Sequence, residues 1–316
     1  MTKPSFQTAA DLFGTWRDDV MTGTPPVFFP VGTGELSRIE IGPKLVTLIG
    51  GAPAAGKTAF TMQCVVDALR LNDSLRALVC NIEMPASVLL DRQLARLSGI
   101  DAREIRYRRL GAAHADRLDR AINTLEHIAD RLCFVRPPFD LANVAASADA
   151  FKANLIVLDY IQRIPPPGKH NDRRGSVDAT MNYLRQFADT GIAVVVVAAV
   201  SRQKDRSGRS SYDALSLASF RESSELEFGA DDAYILSPDA KQGGIVHLRH
   251  LKARHTEPHD IELRFHGRLQ SFEPLSDENN NASNGEPRFS DPGEPAGKQQ
   301  AALASLWAQT EPADKQ

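Results

Sequence analysis

A mainly parallel, twisted α/β sheet with helices on both faces is the fold class this chain predicts. Three observations carry that prediction. Apolar runs of strand length alternate with stretches of helical periodicity from residue 45 to residue 248. Several runs, such as IVL at 156–158 and VVVV at 194–197, show no polar alternation, so their strands should be buried on both faces. The stretch GAPAAGKT, residues 51–58, sits between the first apolar run and the first helical pattern.

Taken in order, residues 7–22 (QTAADLFGTWRDDVMT) predict a short amphipathic helix, with Leu12, Phe13 and Trp16 at near-helical spacing. Residues 23–34 (GTPPVFFPVGTG) read as a Pro/Gly-rich connector. Strands are expected at 45–49, 77–82, 132–135, 155–158, 192–199, 233–236 and 245–248. Helices are expected at 59–71, 86–97, 115–130, 141–152 and 176–189. No internal repeat is visible. Residues 276–316 are rich in Asn, Ser, Pro, Glu, Gly and Gln and short of large apolar groups, which predicts a disordered tail. Within it, AALASLW at 301–307 has the makings of one or two helical turns on a partner, against the plainer reading of a frayed end. The expected organisation is an N-terminal helix and connector (1–31), an α/β domain (32–275) and an acidic tail (276–316).

Composition sets the frame. Hydrophobic residues at 42% and charged residues at 24% suit a soluble chain with a sizeable core. No apolar run approaches the roughly 18 residues of a membrane span, and the N-terminus lacks a signal-peptide pattern; a cytoplasmic protein is expected. Cys64, Cys80 and Cys133 lie in apolar surroundings without metal-binding spacing and read as buried, reduced thiols. The net charge of −3 is unevenly spread: the tail from Ser276 has seven acids and three bases, leaving the rest near neutral. Overall charge therefore neither implies nor excludes a nucleic-acid partner.

The chemistry lies where strands end, because ligands of such sheets bind beyond the carboxyl ends of the strands. GAPAAGKT matches G-x-x-x-x-G-K-[ST], the phosphate-cradling loop. Gly51 and Gly56 let the backbone curl so that N–H groups of Gly51, Ala52, Pro53, Ala54, Ala55 and Gly56, where present, turn toward phosphate oxygens. Lys57 adds a cation, Thr58 offers a hydroxyl to Mg²⁺, and Ala59 continues the first helical turn. Asp159 closes the apolar run LIVLD, the form of a metal-supporting acid; alone it is an ordinary strand-end acid, and with the loop upstream it gains meaning. Glu83 ends ALVCNIE, on what is read as the strand next to the loop's own. A carboxylate there can orient and deprotonate a water. Its plain reading is a solvated acid at a helix start.

The ordered stretches GAPAAGKTAF, ALVCNIEMPASVLLDRQLARLSGI, LIVLDYIQRI, VVVVAAVSRQ, FRESSELEFGADDAYIL and LKARHTEP resemble the ATPase domain of DnaB-type replicative helicases, RecA-like P-loop proteins that form hexameric rings. The resemblance covers roughly residues 32–274, and IEMP and LDYIQ are its most specific parts. It implies ATP and Mg²⁺ as ligands, Lys57 and Thr58 on phosphate and metal, Glu83 as catalytic base and Asp159 as metal support. Gln162 falls at the family's glutamine. Lys252 and Arg254 match a Lys-x-Arg pair that reaches the neighbouring subunit's ATP, which makes Arg254 an arginine finger acting in trans. At i and i+2 leaving a strand, the two cations point to one face; without the family they read as an exposed strand end.

Departures accompany the resemblance. Ser201-Arg202 stands where the family commonly has Ser-Gln, and Arg202 cannot accept a hydrogen bond from its surroundings as that phosphate-sensing glutamine does. Arg221-Glu222-Ser223-Ser224 stands where the family has Arg-Glu-Ser-Gly in a DNA-contacting loop, and Ser224 narrows the backbone freedom glycine gives. Only about thirty residues precede the domain where the family has a primase-docking domain, so a mobile-element, phage or plasmid setting or a different recruiter is expected.

Two basic loops follow strand ends. One carries Arg163, Lys169, Arg173 and Arg174 over 162–174; the other carries Arg202, Lys204, Arg206 and Arg209 over 202–210. Repeated round a ring, they make a positive channel that tracks phosphates, whereas singly each reads as a solvated loop. With few aromatics nearby, backbone tracking is favoured over base stacking.

The leading expectation is an ATP-dependent hexameric DNA helicase or translocase on single-stranded DNA, with a loader or replication protein met through the acidic tail. The alternative is a RecA-like ATPase of recombination or regulation without unwinding. A small-molecule P-loop kinase ranks last, because it has no use for a trans Lys-x-Arg pair.

Overall fold

Strand length and continuous apolar character dictate the architecture seen in the computed structural model. It describes residues 6–23, 25–167, 173–200, 203–204, 210–211, 219–220 and 224–275. These divide into an N-terminal unit up to Val27 and a body from Phe28 onward.

The N-terminal unit holds α1 (Ala9–Thr22). It starts at a capping box in which Thr8 and Asp11 satisfy each other's backbone N–H groups, and ends on left-handed Gly23. None of its residues is buried; Leu12, Phe13, Trp16 and Val20 are exposed.

The body begins with β1 (Val46–Gly51), α2 (Lys57–Leu71), β2 (Ala77–Asn81), α3 (Ala86–Ser98), α4 (Ala102–Arg106) and α5 (Ala115–Ile128). It continues with β3 (Leu132–Phe134), α6 (Leu141–Phe151), β4 (Leu155–Asp159), α7 (Arg173–Asp189) and β5 (Ala193–Ala199). A small hairpin, β6 (Gln203–Lys204) with β7 (Ser210–Ser211), precedes α8 (Ser224–Gly229) and β8 (Asp232–Pro238). The last strands are β9 (Ile245–Ala253), β10 (Ile261–His266) and β11 (Ser271–Pro274).

Nine strands make one sheet in the order β11-β10-β9-β8-β1-β5-β4-β2-β3. From β8 to β3 every pairing is parallel; β9, β10 and β11 add an antiparallel meander. Side chains of β5 alternate between two cores: Val195 joins the layer with Phe60, Leu69 and Phe272, while Val194 and Val196 join the layer with Val144, Met181 and Leu184. Both faces of this strand are therefore dry. At about 1.5–3 kcal/mol per fully buried large apolar side chain, this double burial explains why the VVVV run has no polar alternation.

Three expectations are corrected. Glu83 does not follow the strand beside β1: β5 and β4 lie between β1 and β2. Sequence adjacency suggested the pairing, but the crossover rule allows later strands to insert between earlier ones. Arg173 and Arg174 open α7 rather than lie in a loop. Cys133 is only partly buried, because β3 is the sheet's edge; Cys64 and Cys80 are buried, and all three are free thiols. Among the described residues, no helix is long and apolar enough to cross a membrane.

Candidate active site

At the carboxyl edge of the parallel strands, the chain from Gly51 to Gly56 turns sharply into α2. Gly56 is left-handed at φ 87°, and Ala54 shares that region at φ 64°. A side chain at 56 would lie 2.7 Å from Phe272, so this corner needs glycine for space as well as for conformation. The loop carries Lys57 back over itself: Nζ donates to the carbonyls of Gly51 at 2.9 Å and Ala52 at 3.0 Å. Burial lowers the pKa of this ammonium, and the charges of Asp159 and Glu83 oppose that shift.

Thr58 meets the end of β4. Its Oγ1 donates to Asp159 Oδ2 at 2.6 Å, across 101 residues of sequence. The same oxygen accepts from Asn81 Nδ2 at 2.8 Å. Burial raises the pKa of Asp159; the Thr58 hydrogen bond acts against that, and the nearby Glu83 charge adds to it. The peptide joining Asp159 to Tyr160 is cis.

Asn81 also builds the approach to Glu83. Its Oδ1 accepts from the N–H groups of Glu83 at 3.0 Å and Met84 at 2.8 Å, a local turn that aims the residues after β2. Pro85 then caps α3 without needing a donor. Further along α3, Arg92 faces the same space. Its pKa is lowered by burial, opposed by Asp159. Arg96 fixes α3 to α2 through a paired contact with Asp67 at 2.9 and 3.0 Å.

These groups surround a cavity of about 490 Å³, lined by Pro53, Lys57, Thr58, Glu83, Arg92 and Asp159, with Phe265 and Gln270 at the meander side. The volume lies within the roughly 300–1,000 Å³ of small-molecule sites. A nucleotide fits by charge, since Lys57 and Arg92 both face it. A magnesium ion fits by donor set: Thr58 and Asp159 supply the one or two protein oxygens this ion takes when phosphates and water complete its shell. Among the described residues there is no cluster of three metal-binding side chains that would suggest a dedicated protein cage.

Gln162 lies in a 3-10 turn after β4 and bonds the backbone of Ala199 at the end of β5. Lys252 and Arg254 stand elsewhere. Ala253 is opposite Asp232, and Asp232 is opposite Thr47, four residues before Gly51. At about 3.3 Å per residue this puts Arg254 more than ~13 Å from the loop along the strands, at the opposite edge of the sheet. There Lys252 Nζ donates to the carbonyls of Ala230 at 2.6 Å and Phe228 at 3.2 Å, and Arg254 pairs with Asp231 at 2.8 Å.

Of the nucleic-acid candidates, Arg163 is exposed in the turn after β4, Lys204 lies in β6 and Ser224 opens α8. Lys169, Arg202, Arg206, Arg209, Arg221 and Glu222, like the whole acidic tail, lie outside the described residues. The sequence missed Asn81, Arg92, Phe265 and Gln270. Asn81 had a signal, an Asn ending a strand two residues before an acid. Phe265 had one too, since Ile261, Leu263 and Phe265 alternate before the turn at Gly267.

Residues 35–274 match the family described as the DnaB-like helicase C terminal domain. The chain is 25% identical over 261 residues to the replicative DNA helicase DnaB of Buchnera aphidicola subsp. Acyrthosiphon pisum (strain APS), covering 77% of this chain and 54% of that protein. It is 25% identical over 248 residues to its counterpart from Buchnera aphidicola subsp. Schizaphis graminum (strain Sg), covering 73% and 51%. The chain thus spans about half the length of the curated relatives it matches. Its fold is similar to a separately solved ATPase domain, with a TM-score of 0.74 at 19% identity over 86% of this chain and 100% of that one. It is similar as well to a DnaB-like replicative helicase solved for its interactions with primase, with a TM-score of 0.72 at 19% identity over 85% and 67%. At such identity the likeness speaks for the fold, a RecA-like sheet, and the family match covers most of that sheet and its loops. This chain belongs to the DnaB-like helicase C-terminal domain family.

Proposed function

We propose that the chain is the ATP-hydrolysing subunit of a ring-shaped motor that moves on single-stranded DNA in replication. One observation supports the reading: the cavity residues and the Lys252–Arg254 pair stand at opposite ends of the same strands. Lys57, Thr58, Glu83 and Asp159 gather at one edge, while Lys252 and Arg254 sit too far away to serve that cavity. Cations so placed have a use in a neighbouring copy's site.

In this reading Lys57, held over the loop by two carbonyls, neutralises phosphate charge. Thr58 and Asp159 would hold a divalent ion, which when bound would screen the charge of the phosphates. Glu83, steered by Asn81, orients and deprotonates the attacking water. Arg254 of the next copy offsets charge that develops in the transition state. The basic residues around 162–174 and 202–224 grip the strand, and α7 and α8, which leave those segments, carry movement into the sheet.

The test is ATP hydrolysis measured with and without single-stranded DNA, alongside mass in solution. Hydrolysis stimulated by DNA in a hexamer is expected. A monomer indifferent to DNA overturns the reading. A DNA-stimulated hexamer that separates no duplex supports instead a RecA-like ATPase without unwinding.

A further inference from the structure

Asp231 lies between α8 and β8 and is 1% exposed. A buried carboxylate without partners is costly, so its contacts need a complete account. Its Oδ2 accepts from the Val46 N–H at 2.8 Å, at the first residue of β1. The same oxygen meets Nη1 of Arg185, in the last turns of α7. Its Oδ1 lies 2.8 Å from Nη1 of Arg254, an ion pair by distance, and makes no hydrogen bond of its own. The main chain repeats these links: Asp231 N–H donates to the Val46 carbonyl at 2.8 Å, and Arg254 N–H donates to the Asp231 carbonyl at 3.0 Å.

This carboxylate cannot swing. Val46 belongs to the central strand of the sheet, and Arg185 is itself tied to the Lys44 carbonyl at 3.2 Å and near Asp189 at 3.6 Å. Arg254 differs: its side chain is 42% exposed, and Asp231 and the Phe228 carbonyl, at 3.3 Å, fix it from one side only. An arginine free at a surface samples many rotamers, an entropy that a docked guanidinium must give up. A group that acts on a transition state works best when already oriented. A rigid acid behind a half-exposed arginine supplies that orientation.

We propose that Asp231 is a positioning residue for Arg254, holding its guanidinium at the sheet edge in the orientation in which it meets the nucleotide of the neighbouring copy. This rests on the trans reading of Arg254 given above. The bland alternative is that Asp231 only joins β1 to α7 and so serves its own chain's site.

Complementation between copies separates the two. Asp231→Asn keeps an acceptor for Val46 and removes the charge that holds Arg254. Its kcat for ATP is expected to fall about tenfold or more with KM within about twofold, the pattern of a contact made only in the transition state. In an Arg254→Ala background, Asp231→Asn is expected to add no further loss. Mixing Asp231→Asn with Lys57→Ala chains creates interfaces where an intact loop faces an intact Asp231–Arg254 pair, and hydrolysis is expected to rise above the sum of the two alone. The control mixture, Arg254→Ala with Lys57→Ala, is expected to recover in the same way. Recovery in the control but not with Asp231→Asn means that Asp231 acts on its own chain, and overturns the proposal while leaving the trans reading standing. Recovery in neither, with Arg254→Ala hydrolysing at the wild-type rate, overturns the trans reading and the proposal with it. If Asp231→Asn does not fold, Asp231→Glu takes its place: it keeps the buried charge and displaces the guanidinium by about one methylene, where a misplacement of ~1 Å already costs on the order of a hundredfold. A wild-type kcat in folded Asp231→Glu likewise overturns the proposal.

Discussion

Gln162 grips Ala199 from both directions: its Nε2 donates to the Ala199 carbonyl at 3.0 Å, and its Oε1 accepts from the Ala199 N–H at 3.2 Å. The pair ties the turn after β4 to the last residue of β5, whose chain runs on toward Ser201 and Arg202. Each such bond contributes about 1 kcal/mol net. Gln162→Met, similar in size but without the amide, is expected to lower unfolding free energy by about 1–2 kcal/mol. Gln162→Glu, which can accept but not donate when ionised, should lose about half of that. Denaturant unfolding and hydrogen exchange at the Ala199 amide report both effects, and unchanged protection of that amide would refute the clamp.

Burial works against the charged form of Asp159. Because burial raises its folded pKa above the ordinary 3.8, its stabilising contribution is fully present below that ordinary value, where it is protonated. It is lost as pH rises through the folded value. At neutral pH, then, Asp159→Asn should raise the melting temperature of the nucleotide-free protein while abolishing hydrolysis. The gain should shrink as pH falls into the carboxylate range. A lower melting temperature at neutral pH shows that the carboxylate's hydrogen bonds outweigh its desolvation.

Gly56 stands at φ 87° with the ring of Phe272 behind it. That ring cannot easily retreat, since Phe265 stacks on it at 4.3 Å and Phe60 meets it edge-on at 5.3 Å. Gly56→Ala is expected to cost more than about 1 kcal/mol through backbone strain alone, with the clash added. The loop should lose nucleotide affinity together with stability. Calorimetry of the folded variant with and without ATP checks this; a wild-type melting temperature speaks against the close approach.

Arg92 faces the cavity with Lys57. A charge-assisted contact to phosphate is worth roughly 1.5–3 kcal/mol, or about ten- to a hundredfold in affinity. Titration of Arg92→Ala with a fluorescent ATP analogue should show a loss in that range. Arg92→Lys should recover only part of it, because a point charge does not reproduce the guanidinium fork. Equal affinity for wild type and Arg92→Ala removes Arg92 from the site.

What the sequence makes legible is whatever rests on local pattern. GAPAAGKT, LIVLD and the VVVV run each contain their own explanation, in turn chemistry or in double burial. Strand order is not local, and this is why Glu83 was expected one strand from β1 when two intervene. Arg92 was invisible for a related reason: an arginine on a helix gives no sign of the face it takes until α3 is docked on α2 by Arg96 and Asp67. β10 and β11 are short and half exposed, so their alternation is brief and easily read as loop. The pairing of Arg254 with Asp231 joins the residue just after β9 to the one just before β8, through a carboxylate that, in sequence, is one of two adjacent acids with nothing to tell them apart.

The antiparallel meander has a consequence for timing. It descends along β9 to Lys252 and Arg254 and climbs back along β10 to Phe265 and Gln270, so its lower end belongs to one edge of the sheet and its upper turn to the chain's own cavity. In the proposed ring the end of β9 and the turn after β10 would face two different nucleotides. Hydrogen-bonded strands resist bending, so a shift at one end is delivered to the other instead of being absorbed as in a loop. In that ring adjacent sites would be geared to each other, and the state of one nucleotide would set the phase at which the next could fire.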